Sequence, residues 1–119
     1  MKLEELLVYQ LSMNLGKKVW EIVNEWNHFS KDTIGKQLIR SADSVAANLS
    51  EGFGRFHFKE AKNFSYYSRG SLYETKTWLT KAKNRNLISE EYFIELGKEI
   101  NIIGIKLNNY INSIGKNNS

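Results

Sequence analysis

Seven side chains between positions 59 and 83, Lys59, Lys62, Tyr66, Arg69, Tyr73, Lys76 and Lys83, recur at spacings of three, four and seven. On an α-helix those spacings stack side chains along one face, so cations alternate there with two tyrosines. Such cations neutralise phosphates and release condensed counterions, and an aromatic face stacks on an unpaired base for about 1 to 3 kcal/mol. The pattern marks a candidate nucleic-acid-binding face. The same residues also describe a solvated face whose lysines keep the protein soluble and whose tyrosines pack at a subunit boundary. Charge distribution singles out this segment: residues 57–86 carry seven Lys or Arg against two Glu, and the rest of the chain ten against eleven, so the formal +4 resides here.

A second group comprises Asn48, Glu51, Gly52, Gly54 and Arg55, followed by Gly70, Ser71 and Glu74. Glu51 and Arg55 are four apart in the favourable order, but a carboxylate near a helix C-terminus is opposed by the dipole unless it has a partner. Arg55 or Arg40 is the natural one. Asn48, Glu51 and Arg55 could line a ligand pocket, or they could tie the turn after the second helix to its neighbours.

Catalytic constellations are sparse. The chain has no cysteine, which removes thiolate zinc sites, disulfides and cysteine nucleophiles. Its two histidines, His28 and His57, fall near expected turns, and no Ser-His-Asp or two-His metal spacing can be assembled on one helix face. The arginine-to-histidine spacing of helical-bundle nucleases is also missing, because Arg55 precedes His57 by only two residues. Glu60 with Glu74, or Glu95 with Glu99, lacks the Glu-x-x-His signature of di-iron bundles. Gly52-x-Gly54 lacks the rest of a phosphate-binding loop and reads as a helix cap. A non-enzymatic protein without metal or cofactor is expected.

The elements that must position these residues are helices, since proline is absent and apolar residues recur every three or four positions. Leu7, Leu11, Leu15, Val19, Ile22, Trp26 and Phe29 define a first helix over 6–28. Asp32 or Thr33 can cap a second over 34–53, which is rich in Gly, Ala and Ser and can let another helix come close. Gly52-Phe53-Gly54 should end it in a left-handed cap. A third helix over 58–84 is marked on one side by Phe64, Ser68, Leu72, Thr75, Trp78, Leu79 and Ala82, with the basic stripe roughly opposite Phe64, Ser68, Thr75 and Ala82, and it stops near Asn86. Ser89 caps a fourth over 90–113, along Leu96, Ile100, Ile103, Leu107, Tyr110 and Ile114, and residues 115–119 should fray. Short turns favour an all-α, up-down-up-down antiparallel four-helix bundle occupying residues 1–119 as one domain. A long α-hairpin that completes its core in an oligomer is the alternative. Acids follow closely on Met1 and no stretch approaches a membrane span, so a cytoplasmic protein is expected.

The stretch from Ser44 to Arg55, with Gly70-Ser71-Leu72-Tyr73-Glu74 and Leu87-Ile88-Ser89-Glu90-Glu91, resembles the bacterial four-helix-bundle family encoded in intervening sequences of 23S ribosomal RNA genes. Accessory variability proteins of diversity-generating retroelements belong to the same group. The resemblance covers nearly the whole chain, and Asn48-x-x-Glu51-Gly52-x-Gly54-Arg55 is its specific part. Gln37, Arg40, Ala42, Ser44, Glu60 and Phe64 also match by position. Ala46, Ala61 and Asn86 depart from the family's usual proline, phenylalanine and glycine. The resemblance implies a ring-like homopentamer with no established catalytic activity. In the retroelement branch it implies a basic protein that contacts nucleic acid and a reverse transcriptase.

Small residues on helix two and aromatics such as Trp20, Tyr67 and Trp78 exceed what one thin bundle must bury, so self-association is expected on physical grounds too. Two functions stay open: a homo-oligomeric accessory protein that binds RNA or DNA through helix three, and a protein-protein assembly module whose basic face meets an acidic partner.

Overall fold

The computed structural model describes residues 1–116, and among these the backbone forms four long helices and no strand. A 3-10 turn, Leu3–Glu5, leads into α1, Leu7–Asn24. Then come α2, Lys36–Phe53, α3, Phe58–Asn84, and α4, Glu90–Ser113. Each helix packs against the next, and α1 closes the bundle on α4. Contacts between helix ends give the directions. Trp26, two residues past the end of α1, donates its indole N–H to the Leu87 carbonyl just before α4. Gly52 near the end of α2 meets Ala61 near the start of α3, and Lys83 near the end of α3 lies by Glu90 at the start of α4. The topology is therefore up-down-up-down, and the molecule is elongated, 52 × 24 × 20 Å.

The core follows from the helical period. Leu15, Leu38, Leu49, Leu79, Leu96 and Leu107 are 0 or 1% exposed. Removing such a side chain from water stabilises the fold by about 1.5 to 3 kcal/mol. Between α2 and α3 the buried faces are built of small residues: Ser41, Ala42, Ala46 and Gly52 from one helix, Ala61, Ser65, Ser68 and Thr75 from the other. Their hydroxyls are satisfied, as burial requires. Ser68 Oγ donates to the Val45 carbonyl across the interface at 2.7 Å, and Thr75 Oγ1 to Ser41 Oγ at 3.0 Å. At the α1–α4 contact, Lys18 Nζ lies 2.9 Å from Glu99 Oε1, and that carboxylate holds the ammonium pKa above its ordinary value.

Several boundaries differ from the sequence reading. The first helix stops at Asn24 rather than His28, and both ends of its expected apolar stripe, Leu7 and Phe29, are exposed, at 48 and 75%. Helical backbone resumes at His28, six residues before the expected start, because the Asn27 side chain accepts from the Ser30 amide. Asp32 and Thr33 consequently lie inside a helix and cap nothing. Asp32 pairs with Lys36 at 2.8 Å, which lowers its carboxyl pKa, and Thr33 Oγ1 donates to the Phe29 carbonyl. This lead-in is wound as a π-helix over Lys31–Gly35 and buries both Ile34 and Gly35. A Cβ on Gly35 would sit 2.7 Å from Val23 Cγ1, so the glycine admits the end of α1.

The glycine cap after α2 is also absent: Gly54 has φ −80°, in the right-handed region. Gly52 is instead a crossing point, since a Cβ there would lie 2.9 Å from Phe64 Cβ and 3.0 Å from the Ala61 carbonyl oxygen. The left-handed residue occurs after α3, where Asn86 has φ 60°. The Asn86 amide donates to Lys83 O and the Leu87 amide to Ala82 O, a Schellman closure. Ser89 caps α4 through the Tyr92 amide. Of the residues expected to fray, Gly115 has φ 84° and stands beside the Phe58 ring, while Asn117, Asn118 and Ser119 lie outside the described residues.

Candidate nucleic-acid interface

The basic stripe of α3 approaches α4 over its second half. From Arg69 onward it runs along the flank of the helix that borders α4. Arg69 donates to Asn108 Oδ1 at 3.1 Å, and Arg69, Tyr73 and Lys76 border a groove of about 210 Å³ whose far wall is α4. The reason is the mismatch between a heptad repeat and the α-helical turn. A pattern repeating every seven residues drifts about 20° per heptad on a straight helix, so Lys62 and Lys83, three heptads apart, differ by about 60°.

The seven residues differ in their surroundings. Lys59 and Lys76 are exposed, Lys62 is half-buried, and none has a carboxylate partner among the described residues. Arg69 also has none: its guanidinium stands 4.8 Å from the centre of the Tyr66 ring, besides its bond to Asn108. Tyr66 and Tyr73 are 44 and 65% exposed. Lys83 differs, lying 3.6 Å from the Glu90 carboxylate and 5.2 Å from the Phe93 ring centre. Most of the stripe thus presents cations and aromatic faces to solvent, and its last member is engaged at the α3–α4 turn.

The second group divides into two ties between α2 and α3. At the turn, Arg55 Nη2 is 2.6 Å from Glu51 Oε1, Nη1 is 3.7 Å from Glu60 Oε2, and the guanidinium lies 4.8 Å from the Phe64 ring centre. Further along, Glu74 Oε2 accepts from Arg40 at 3.2 Å and from the Trp78 indole at 2.9 Å, and Arg40 also donates to Gln37. These charged side chains are substantially solvated, so each ion pair contributes about 0 to 1 kcal/mol. Asn48 is half-buried on α2 and makes no side-chain hydrogen bond among the described residues. The Ser71 backbone carbonyl lies 2.8 Å from Thr75 Oγ1 and shares that hydroxyl's proton with Ser41. A Cβ on Gly70 would meet nothing within 4 Å, so the packing of a single chain does not require glycine there.

Two features escaped the sequence reading. Asn101, Gly104 and Asn108 supply the α4 wall of the basic groove, and their spacing of three and four places them on one face beside the apolar stripe. A larger groove of about 450 Å³ lies between α1 and α2, flanked by Met13 and Trp20, which are 53 and 58% exposed. Asp43 lines it, its carboxyl pKa raised by partial burial. Small residues such as Gly16 and Ala47 in this groove gave no apolar signal to find it by.

Among the described residues no group of three or more His, Cys, Asp or Glu side chains is placed to hold a metal ion, and no helix is long and apolar enough to cross a membrane. Fold and surface together define an antiparallel four-helix bundle with one basic, aromatic flank. Residues 4–109 match the family model described as 23S rRNA-intervening sequence protein, and the chain belongs to that family. The fold is similar to the crystal structure of a protein of unknown function from the S23 ribosomal protein family of Bacteroides thetaiotaomicron. That similarity has a TM-score of 0.81 at 19% identity, over 90% of this chain and 96% of the other. No curated protein matches the sequence.

Proposed function

We propose that this protein is a non-enzymatic, homo-oligomeric accessory protein that binds the backbone of RNA or DNA along the flank of α3. The observation that carries the nucleic-acid reading is the set Lys59, Lys62, Arg69 and Lys76, cations on one flank without carboxylate partners among the described residues, interleaved with exposed Tyr66 and Tyr73. Such a surface binds phosphate by counterion release, so affinity falls steeply with salt. Replacing Arg69 and Lys76 together with glutamine is expected to weaken binding similarly across sequences. Each lost phosphate contact lowers the log-log salt slope by about 0.7 to 0.9, and helical content stays unchanged. Tyr66→Ala and Tyr73→Ala should selectively weaken single strands, because a duplex keeps its base faces stacked. Fluorescence anisotropy of labelled single-stranded and duplex RNA and DNA measures all of this. Absence of binding at about 50 mM salt, or equal affinity of the parent and the double variant, would overturn it in favour of an assembly module that meets an acidic protein.

Self-association is supported by Trp20 and Tyr67, 58 and 57% exposed, and by the open groove beside Trp20. Exposed apolar surface of this kind favours a partner. Trp78 no longer contributes, since it is half-buried and bonded to Glu74. A pentamer is the number the family resemblance suggests. Light scattering coupled to gel filtration at micromolar concentrations is expected to give an oligomer mass, and a monomer mass throughout would sink the proposal.

A further inference from the structure

We infer that the groove between α3 and α4 seats one unstacked base of a single-stranded nucleic acid whose phosphates lie on Arg69 and Lys76. This rests on the backbone-binding reading above and adds to it a seat for the base. The groove is chemically divided. Its rim on α3 carries Arg69 and Lys76, seven residues apart and so about 10 Å apart along the axis, with exposed Tyr73 between them. Its floor is apolar, made by Leu72 and Ile100, both buried. The opposite rim carries Asn101 and Asn108, whose amides offer donors and acceptors, with the exposed side chain of Ile105 between them. Asn108 uses its oxygen to hold Arg69, and Asn101 has no partner among the described residues.

Gly104 keeps the space open. A Cβ there would meet only Leu72 Cδ2, at 3.7 Å, whereas a longer side chain would occupy the groove itself. A planar ring with apolar faces and polar edges, attached to an anionic backbone, complements all three zones at once. A nucleotide has that chemistry. An acidic peptide would satisfy the two cations but would offer nothing planar to the floor or to Tyr73. The strand must be single, because bases in a duplex keep their faces stacked on one another.

The test compares a labelled single-stranded DNA with an abasic strand of the same length and charge, by anisotropy at one salt concentration. The parent protein is expected to prefer the base-bearing strand by roughly five- to a hundredfold, the factor that stacking one base supplies. Gly104→Leu should reduce that preference severalfold, leaving the share that stacking on Tyr66 outside the groove supplies, with abasic affinity and helical content unchanged. Should Gly104→Leu perturb folding, the exposed Asn101→Ala decides: it is expected to reduce the preference severalfold without altering abasic affinity, and an undiminished preference overturns the base seat. Equal affinity of the parent for the two strands also overturns it while leaving backbone binding intact. Binding of neither strand removes both readings. Displacement of the strand by polyglutamate as effectively as by unlabelled strand would assign the groove to an acidic protein segment and equally overturn the inference.

Discussion

Leu72→Ala is expected to destabilise the folded protein by about 2 to 5 kcal/mol, the usual cost of truncating a buried leucine. Leu72 is 3% exposed and belongs to the main core cluster. Its position refines the expectation. Because Leu72 also floors the α3–α4 groove, the space left by truncation opens toward solvent and can be hydrated or collapsed into, which favours the lower half of that range. Leu79, 1% exposed on the same helix and away from the groove, leaves an enclosed cavity, so Leu79→Ala should fall in the upper half. Urea unfolding followed by circular dichroism gives both values. An unchanged midpoint for Leu72→Ala would mean that α3 presents a different face to the core.

Gly52→Ala is expected to cost about 1 to 3 kcal/mol, the range for forcing extra atoms into a well-packed site. The added Cβ would stand 2.9 Å from Phe64 Cβ and 3.0 Å from the Ala61 carbonyl oxygen. Neither is the free end of a flexible side chain, so α3 must move away from α2. Its displacement would stretch the Ser68-to-Val45 bond, which is buried away from water, and the Thr75-to-Ser41 bond, although Thr75 and Ser41 keep the Ser71 and Leu38 carbonyls as acceptors. Gly54→Ala is the control. Its nearest neighbours are backbone oxygens at 3.8 Å and its φ is −80°, so alanine there should be neutral or stabilise by about 0.4 to 1 kcal/mol through the unfolded chain. If the two variants unfold alike, the α2–α3 crossing is looser than this geometry, and Gly52 serves no packing purpose.

The sequence by itself determined the features that depend on neighbours three or four residues away. Leu15, Val19 and Ile22 lie on one helix face because they are spaced to do so, Ser89 caps because an amide lies within reach, and Asn86 takes the left-handed turn because few other residues can. Four such helices joined by short turns left few arrangements other than the antiparallel bundle. Tertiary structure decided whatever accumulates with distance or depends on a second helix. The direction of the basic stripe is a sum of small angular errors over heptads, so it turned toward α4. Lys83 met Glu90 and Phe93 there, and Asn101, Gly104 and Asn108 became the far wall of a groove. Gly52 and Gly54 look equivalent along the chain, but only one of them has another backbone against it. The site at α3 was therefore legible as a list of residues and not as a shape, because periodicity assigns a side chain to a face while only packing assigns that face a neighbour.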